Sequence, residues 1–169
     1  MTRPLELFRR LTNGVYVVGV AHGGRSDAFT AAWITQVSFD PLLLALSINP
    51  AHASYPILIA ARGFTVSILS RGQSELARHF GTQSGREVDK LAGQRWEEAP
   101  GGAPVLLDAL AYLECRVIDR YPAGDHELVL GQVVDGRVLN SQAAPMTYAE
   151  TGNLDGSAEL YPETFESET

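Results

Sequence analysis

The chain has 169 residues, 45% of them hydrophobic and 20% charged, with a net charge of −7. Such a length suits one domain able to bury ~70% of its unfolded surface, and such a composition excludes a disordered chain. No apolar run approaches the ~20 residues of a membrane span, the first ten residues lack the apolar core of a signal sequence, and the acidic balance argues against a nucleic-acid binder. A single cytoplasmic domain is expected, with its core over about residues 10–140 and an acidic extension over 145–169. Six acids and no Lys or Arg fall in residues 150–169, which leaves the rest of the chain close to neutral. The single cysteine, Cys115, has no partner for a disulfide and no ligand-spaced neighbour for a metal.

Leu5, Leu7, Phe8 and Leu11 space as a short amphipathic helix, read as a lid over one end of the fold. Gly14 to Ala21 is a β-branched strand, and His22 to Arg25 turns into a second one. Thr30 to Val37 mixes small residues, hydroxyls and an aromatic, a pattern that lets a flat ligand approach the backbone. Asp40-Pro41 turns the chain into the apolar strand Leu42 to Ile48, paired with the one before it in a buried sheet. In the following stretch, Asn49 to Pro56, Ser54 is read as an N-cap and Pro56 sits in the first helical turn, so the free amides there form an anion site. The helix runs to Arg62 and is stopped by Gly63 at the C′ position.

Phe64 to Leu69 alternates as a strand. Ser70 to Gln73 then has the spacing of a capping box for a helix from Gln73 to Phe80. From Gly81 to Pro104 the pattern weakens to a long ordered excursion or a partner-facing segment. Tyr112 to Asp119 alternates, with Leu113, Cys115 and Val117 on one face and Tyr112, Glu114 and Arg116 on the other. Glu127 to Val134 is another strand, and Asp135-Gly136 reads as a tight turn to Arg137–Leu139. The acidic tail is read as lying over the surface or a partner subunit. Strands outnumber helices and neighbours are sequential, so the fold class is mainly β, an antiparallel barrel with inserted helices.

No P-loop, dinucleotide fingerprint, H-E-x-x-H or G-x-S-x-G is present. Three segments do stand in a recognisable order: the strand and Val37-Ser-Phe-Asp-Pro41 turn leading to Asn49…Ser54; Ser84-Gly-Arg-Glu-Val-Asp-Lys90; and Gly124-Asp125-His126 before a strand containing Gly131. In this order they resemble the flavin reductase-like family of FMN-binding split barrels, which includes the small reductase components of two-component flavin monooxygenases. The resemblance implies a split β-barrel homodimer that binds FMN, or FAD, and takes electrons from NADH or NADPH. It also implies a flavin-dependent monooxygenase as the partner that receives reduced flavin.

Carried onto this chain, it puts Thr30, Ala31, Ala32, Trp33, Ile34 and Thr35 along the flavin, with the two alanines allowing close backbone approach. Trp33 is either a core residue or a flavin contact. Thr35, Asn49 and Ser54 would give neutral donors to the phosphate, and Ser84, Arg86 and Lys90 a flavin-side loop whose cations supply the charge. Family members often carry hydroxyl residues at the places of Ala32 and Trp33 and a basic residue at Ala53, so more of the charge falls to Arg86 and Lys90. His52 would assist in the phosphate loop. His126 would border the open face and place the nicotinamide, a role of alignment more than titration. Two other readings stay open: an FMN-binding electron carrier or oxidase without reductase activity, and a non-enzymatic interaction module.

Overall fold

The computed structural model describes residues 2–165, so the acids Glu166 and Glu168 of the expected tail lie outside the described residues. Among the described residues nine strands and three α-helices follow in chain order: α1 (Pro4–Phe8), β1 (Tyr16–His22), β2 (Arg25–Ala31), β3 (Ile34–Ser38), β4 (Leu43–Ile48), α2 (Tyr55–Ala61), β5 (Gly63–Ile68), α3 (Ser74–Gly81), β6 (Trp96–Glu98), β7 (Pro104–Leu106), β8 (Ala111–Ala123) and β9 (His126–Val138), with two 3-10 turns (Tyr148–Thr151 and Ser157–Leu160) in the tail. Seven of the strands form one antiparallel sheet in the order β2-β1-β5-β8-β9-β4-β3, and β6 pairs with β7 alone. The mainly β, split-barrel class with inserted helices is what the structure shows.

The expected single strand from Thr30 to Val37 is two strands. β2 ends at Ala31 and β3 begins at Ile34, and these are the two ends of the seven-stranded ladder. Ala32 and Trp33 therefore carry the chain across the open seam of the barrel, and a bond from the Ser47 amide to the Trp33 carbonyl at 3.0 Å ties that crossing to β4. β3 pairs with β4 as expected, but Thr35, Gln36 and Val37 are exposed, so this edge is not part of a buried sheet.

β1 reads as a nearly continuous apolar run because both of its faces are covered. Val18 and Val20 join Phe29, Leu46, Leu58, Phe64, Val66, Cys115 and Val129 in the barrel core, while Val15 and Val17 pack with Ala77, Phe80, Leu91 and Met146 under α3. The alternation in β8 also holds, yet its second face is not wet: Tyr112 packs with Ala99 and Val105 of the segment around the β6–β7 hairpin, and Glu114 is buried, its Oε1 accepting the Gly101 amide at 2.6 Å. Part of the Gly81–Pro104 excursion is thus ordered cover for the sheet.

Three local expectations change. Asp135-Gly136 makes no turn; β9 runs through it to Val138, with a register shift opposite Glu114/Cys115 that leaves Val134 as an extra residue in the strand. The left-handed residue ending α2 is Arg62 (φ 57°), and Gly63 already belongs to β5. Gln73 is the N-cap of α3, and its side chain accepts the Ser70 amide at 2.7 Å, so the Gln half of the expected box forms one turn earlier than the helix itself.

Candidate functional site

The seam between β2 and β3 opens into a cleft of 240 Å³. Thr30, Ala31, Ala32 and Trp33 form one side, Ser47, Ile48, Asn49 and His52 another, and His126 a third. Residues far apart in sequence meet here because β4 pairs with β9 in a register that places Ile48 opposite Glu127, beside His126 at the start of β9. The Trp33 and His126 rings lie 5.0 Å apart and tilted by 52°. His126 Nδ1 is 2.7 Å from Asp125 Oδ1, a contact that holds the exposed Asp125 carboxyl below its usual range and orients the imidazole.

The expected site residues divide into three sets. Ala31, Ala32, Trp33, Asn49 and His126 line the cleft. Thr30 lines it too, but its hydroxyl is spent on the Ala77 carbonyl at 2.7 Å, which fastens β2 to α3. Ile34 and Thr35 are not among the residues lining the cleft: Ile34 packs against the barrel core, and Thr35 is exposed on β3.

Around the expected phosphate site the differences are larger. Ser54 makes no cap bond; it is fully buried, and its hydroxyl donates to Asp27 Oδ2 at 2.6 Å. In the first turn of α2 the Tyr55 amide bonds the His52 carbonyl and Pro56 has no amide, so the turn offers little of the expected donor array. Lys90 is not a surface cation. Its ammonium is 0% exposed and 3.4 Å from Asp27 Oδ1, and burial pulls its pKa down against the attraction of Asp27. Desolvation and the Lys90 charge also lower the pKa of His52, which keeps its imidazole neutral.

Arg86 is the cation left exposed on this side. Its guanidinium reaches the Ala51 carbonyl at 3.4 Å, and its amide is held by Ser84 Oγ at 3.2 Å, so the 84–86 loop leans on the 49–54 loop. Arg86 makes no ion pair with the described residues.

The far wall of the cleft comes from the C-terminal segment, which carries none of the expected site residues. Tyr148, Asp155, Ser157 and Leu160 of the tail close the cleft opposite Thr30–Trp33. The tail is fixed by the Tyr148 amide to the Asn13 carbonyl at 2.7 Å, and by the Tyr148 hydroxyl, which reaches Asp155 Oδ2 and Ser157 Oγ at 2.8 Å each. Burial pushes the Tyr148 phenol up to about 12. The only signal for this wall was a tyrosine and scattered leucines in an acidic background, too sparse to set a period.

The cleft leaves the Ala31 and Ala32 backbone accessible, with Ser47 and Asn49 on its wall, and Arg86, without an ion pair among the described residues, stands beside the 49–54 loop. Among the described residues no cluster could hold a metal ion, and no helix is long and apolar enough to cross a membrane.

Comparison with known proteins agrees with this geometry. Residues 8–155 match the flavin reductase like domain. The high molecular weight rubredoxin of Moorella thermoacetica is 39% identical over 82% of this chain and 61% of its own length. Diflavin flavoprotein A 1 of Synechocystis sp. is 33% identical over 79% of this chain, which corresponds to 23% of that protein. The chain therefore spans less than two thirds of the curated relatives it matches. Among solved structures, the NADH:FAD oxidoreductase SgcE6 of Streptomyces globisporus superposes with a TM-score of 0.78 at 32% identity, covering 83% of this chain and 84% of that one. The FMN-binding protein of Thermus thermophilus gives 0.72 at 34% identity, with 76% and 73% covered. With a family model spanning most of its length and a split sheet of the same form, the chain belongs to the flavin reductase like domain family.

Proposed function

We propose that the chain is a flavin reductase that binds FMN in the seam cleft, accepts FAD as an alternative, and takes electrons from NADH or NADPH. One observation carries this reading: Ala31–Trp33, Asn49, His52 and His126 converge on a single cleft at the open edge of the barrel. Bound flavin supplies the redox chemistry, so the protein needs no acid–base pair of its own. The Ala31 and Ala32 backbone would face the ring, Asn49 and Ser47 would offer polar contacts, and Arg86 would hold the phosphate. The Trp33–His126 pair borders the face left for the nicotinamide, with Asp125 fixing the imidazole. Tail residues Tyr148, Asp155, Ser157 and Leu160 form the opposite wall of the cleft.

Mixing the protein and FMN anaerobically with NADH, and separately with NADPH, tests this. Bleaching of the flavin band much faster than for free FMN supports the reading and names the donor; bound but unbleached flavin refutes it. The names of the curated relatives favour a second reading, in which flavin stays bound and passes electrons to a redox partner in place of release to a monooxygenase. Flavin retained through gel filtration after reduction would select it. Homodimerisation is part of the proposal: Val37, Phe39 (90% exposed) and Leu42 are exposed where the β3–β4 connection meets β9, next to exposed Val134, an apolar surface of the kind that subunits cover. Phe39→Glu should shift the species seen by light scattering toward monomer.

A further inference from the structure

A second cavity, of 430 Å³, lies on the other side of Trp33, between α1 and the C-terminal segment. Four aromatic side chains line it: Phe8, Trp33, Tyr148 and Tyr161, with Phe8 and Tyr161 rings 5.6 Å apart. Phe8 and Trp33 are each about half exposed here, 53% and 47%, so apolar area stays in water that a ligand would cover. The volume and the aromatic lining are those of small-molecule pockets.

The polar groups narrow the ligand class. Arg9 and Asn13 stand on the wall, and Arg9 forms no ion pair with any described carboxylate. Aromatic faces bind a ring by offset or edge contacts, and a free guanidinium binds a carboxylate through paired, charge-assisted hydrogen bonds. This cavity is not the flavin cleft; the two share only Trp33, Tyr148 and Ser157 as a partition. We propose that the cavity between α1 and the C-terminal segment binds a single-ring aromatic carboxylate, with Arg9 holding the carboxylate and Trp33 and Phe8 covering the ring.

The proposal goes beyond the reductase reading and is tested without turnover. 4-Hydroxybenzoate is titrated calorimetrically into the protein, first alone and then with saturating FMN. One saturable site per chain, of similar affinity in both cases, is expected. Arg9→Gln, on an exposed position that leaves the melting temperature unchanged, should weaken 4-hydroxybenzoate by at least about tenfold, the loss of one charge-assisted contact. It should leave the uncharged 4-hydroxybenzyl alcohol unaffected, while Phe8→Ser weakens both. Absence of saturable heat at millimolar ligand overturns the proposal, as does an Arg9→Gln protein that binds the carboxylate normally. Competition by FMN would place the ligand in the flavin cleft and also overturns it. So does a loss of self-association in Phe8→Ser without ligand heat in the parent, which would make the groove an interface between copies.

Discussion

Replacing either partner of the buried Asp27–Lys90 pair should destabilise the protein, and the two replacements should differ in a way the geometry dictates. The charges lie 3.4 Å apart, which at an effective dielectric constant near 20 amounts to ~5 kcal/mol of gross attraction. Burial still lowers the Lys90 pKa, so desolvation outweighs that attraction and the intact pair contributes little net stability. Removing one partner is another matter, because the survivor stays buried. Without Lys90, Asp27 keeps the Ala28 amide at 2.8 Å and the Ser54 hydroxyl at 2.6 Å. Without the Asp27 charge, the Lys90 ammonium keeps no hydrogen bond at all.

Lys90→Met should therefore cost ~2–3 kcal/mol and Asp27→Asn ~3–5 kcal/mol, the usual range for a broken buried pair. The double variant should recover much of the larger loss. Urea unfolding of the four proteins forms a double-mutant cycle. Strict additivity, or a Lys90→Met loss exceeding that of Asp27→Asn, would refute the assignment of Lys90 to an internal ion pair. The cycle also bears on the cleft, since the pair joins β2, the start of α2 and the loop that carries Arg86.

At Gly131 an added Cβ would stand 2.7 Å from the Phe64 ring and 2.9 Å from Cys115, so Gly131→Ala should lose ~1–3 kcal/mol by overpacking, read as a lower thermal midpoint. Burial pushes the Cys115 thiol to about 12 from 9.0, so the folded state keeps its proton while the unfolded chain loses it. The associated stability is fully present below pH 9 and is lost as pH rises from 9 toward 12, by ~1.4 kcal/mol per pH unit, and Cys115→Val should flatten that part of the urea-stability profile. At the cleft, His126→Ala should reduce NAD(P)H-driven bleaching while leaving the FMN dissociation constant within about twofold. Arg86→Gln should do the reverse and raise that constant about tenfold or more, the worth of one charge-assisted bond; flavin fluorescence titration beside anaerobic bleaching separates the two.

The sequence by itself determined the class of fold, because β-branched alternation and turn residues are local signals: Gly14–Ala21, Leu42–Ile48 and Phe64–Leu69 lie within two residues of observed strands, and Tyr112–Asp119 falls inside the longer β8. The family was legible as well, since its motifs are short stretches in a given order. Long-range pairing lay beyond such signals. Nothing local to Thr30–Val37 says that its two halves sit at opposite ends of a seven-stranded ladder, because strand order is settled by which edges meet across the whole sheet. The same holds for side-chain partners. Ser54 and Lys90 have the chemistry of phosphate ligands, yet Asp27 lies close enough in space to occupy both. Only the tertiary structure decided that the chain's own carboxylate takes these groups, leaving Arg86 exposed, and that the acidic tail closes the cleft. A hydroxyl or an ammonium binds whichever partner the fold brings within reach, and that reach is set by packing rather than by residue type.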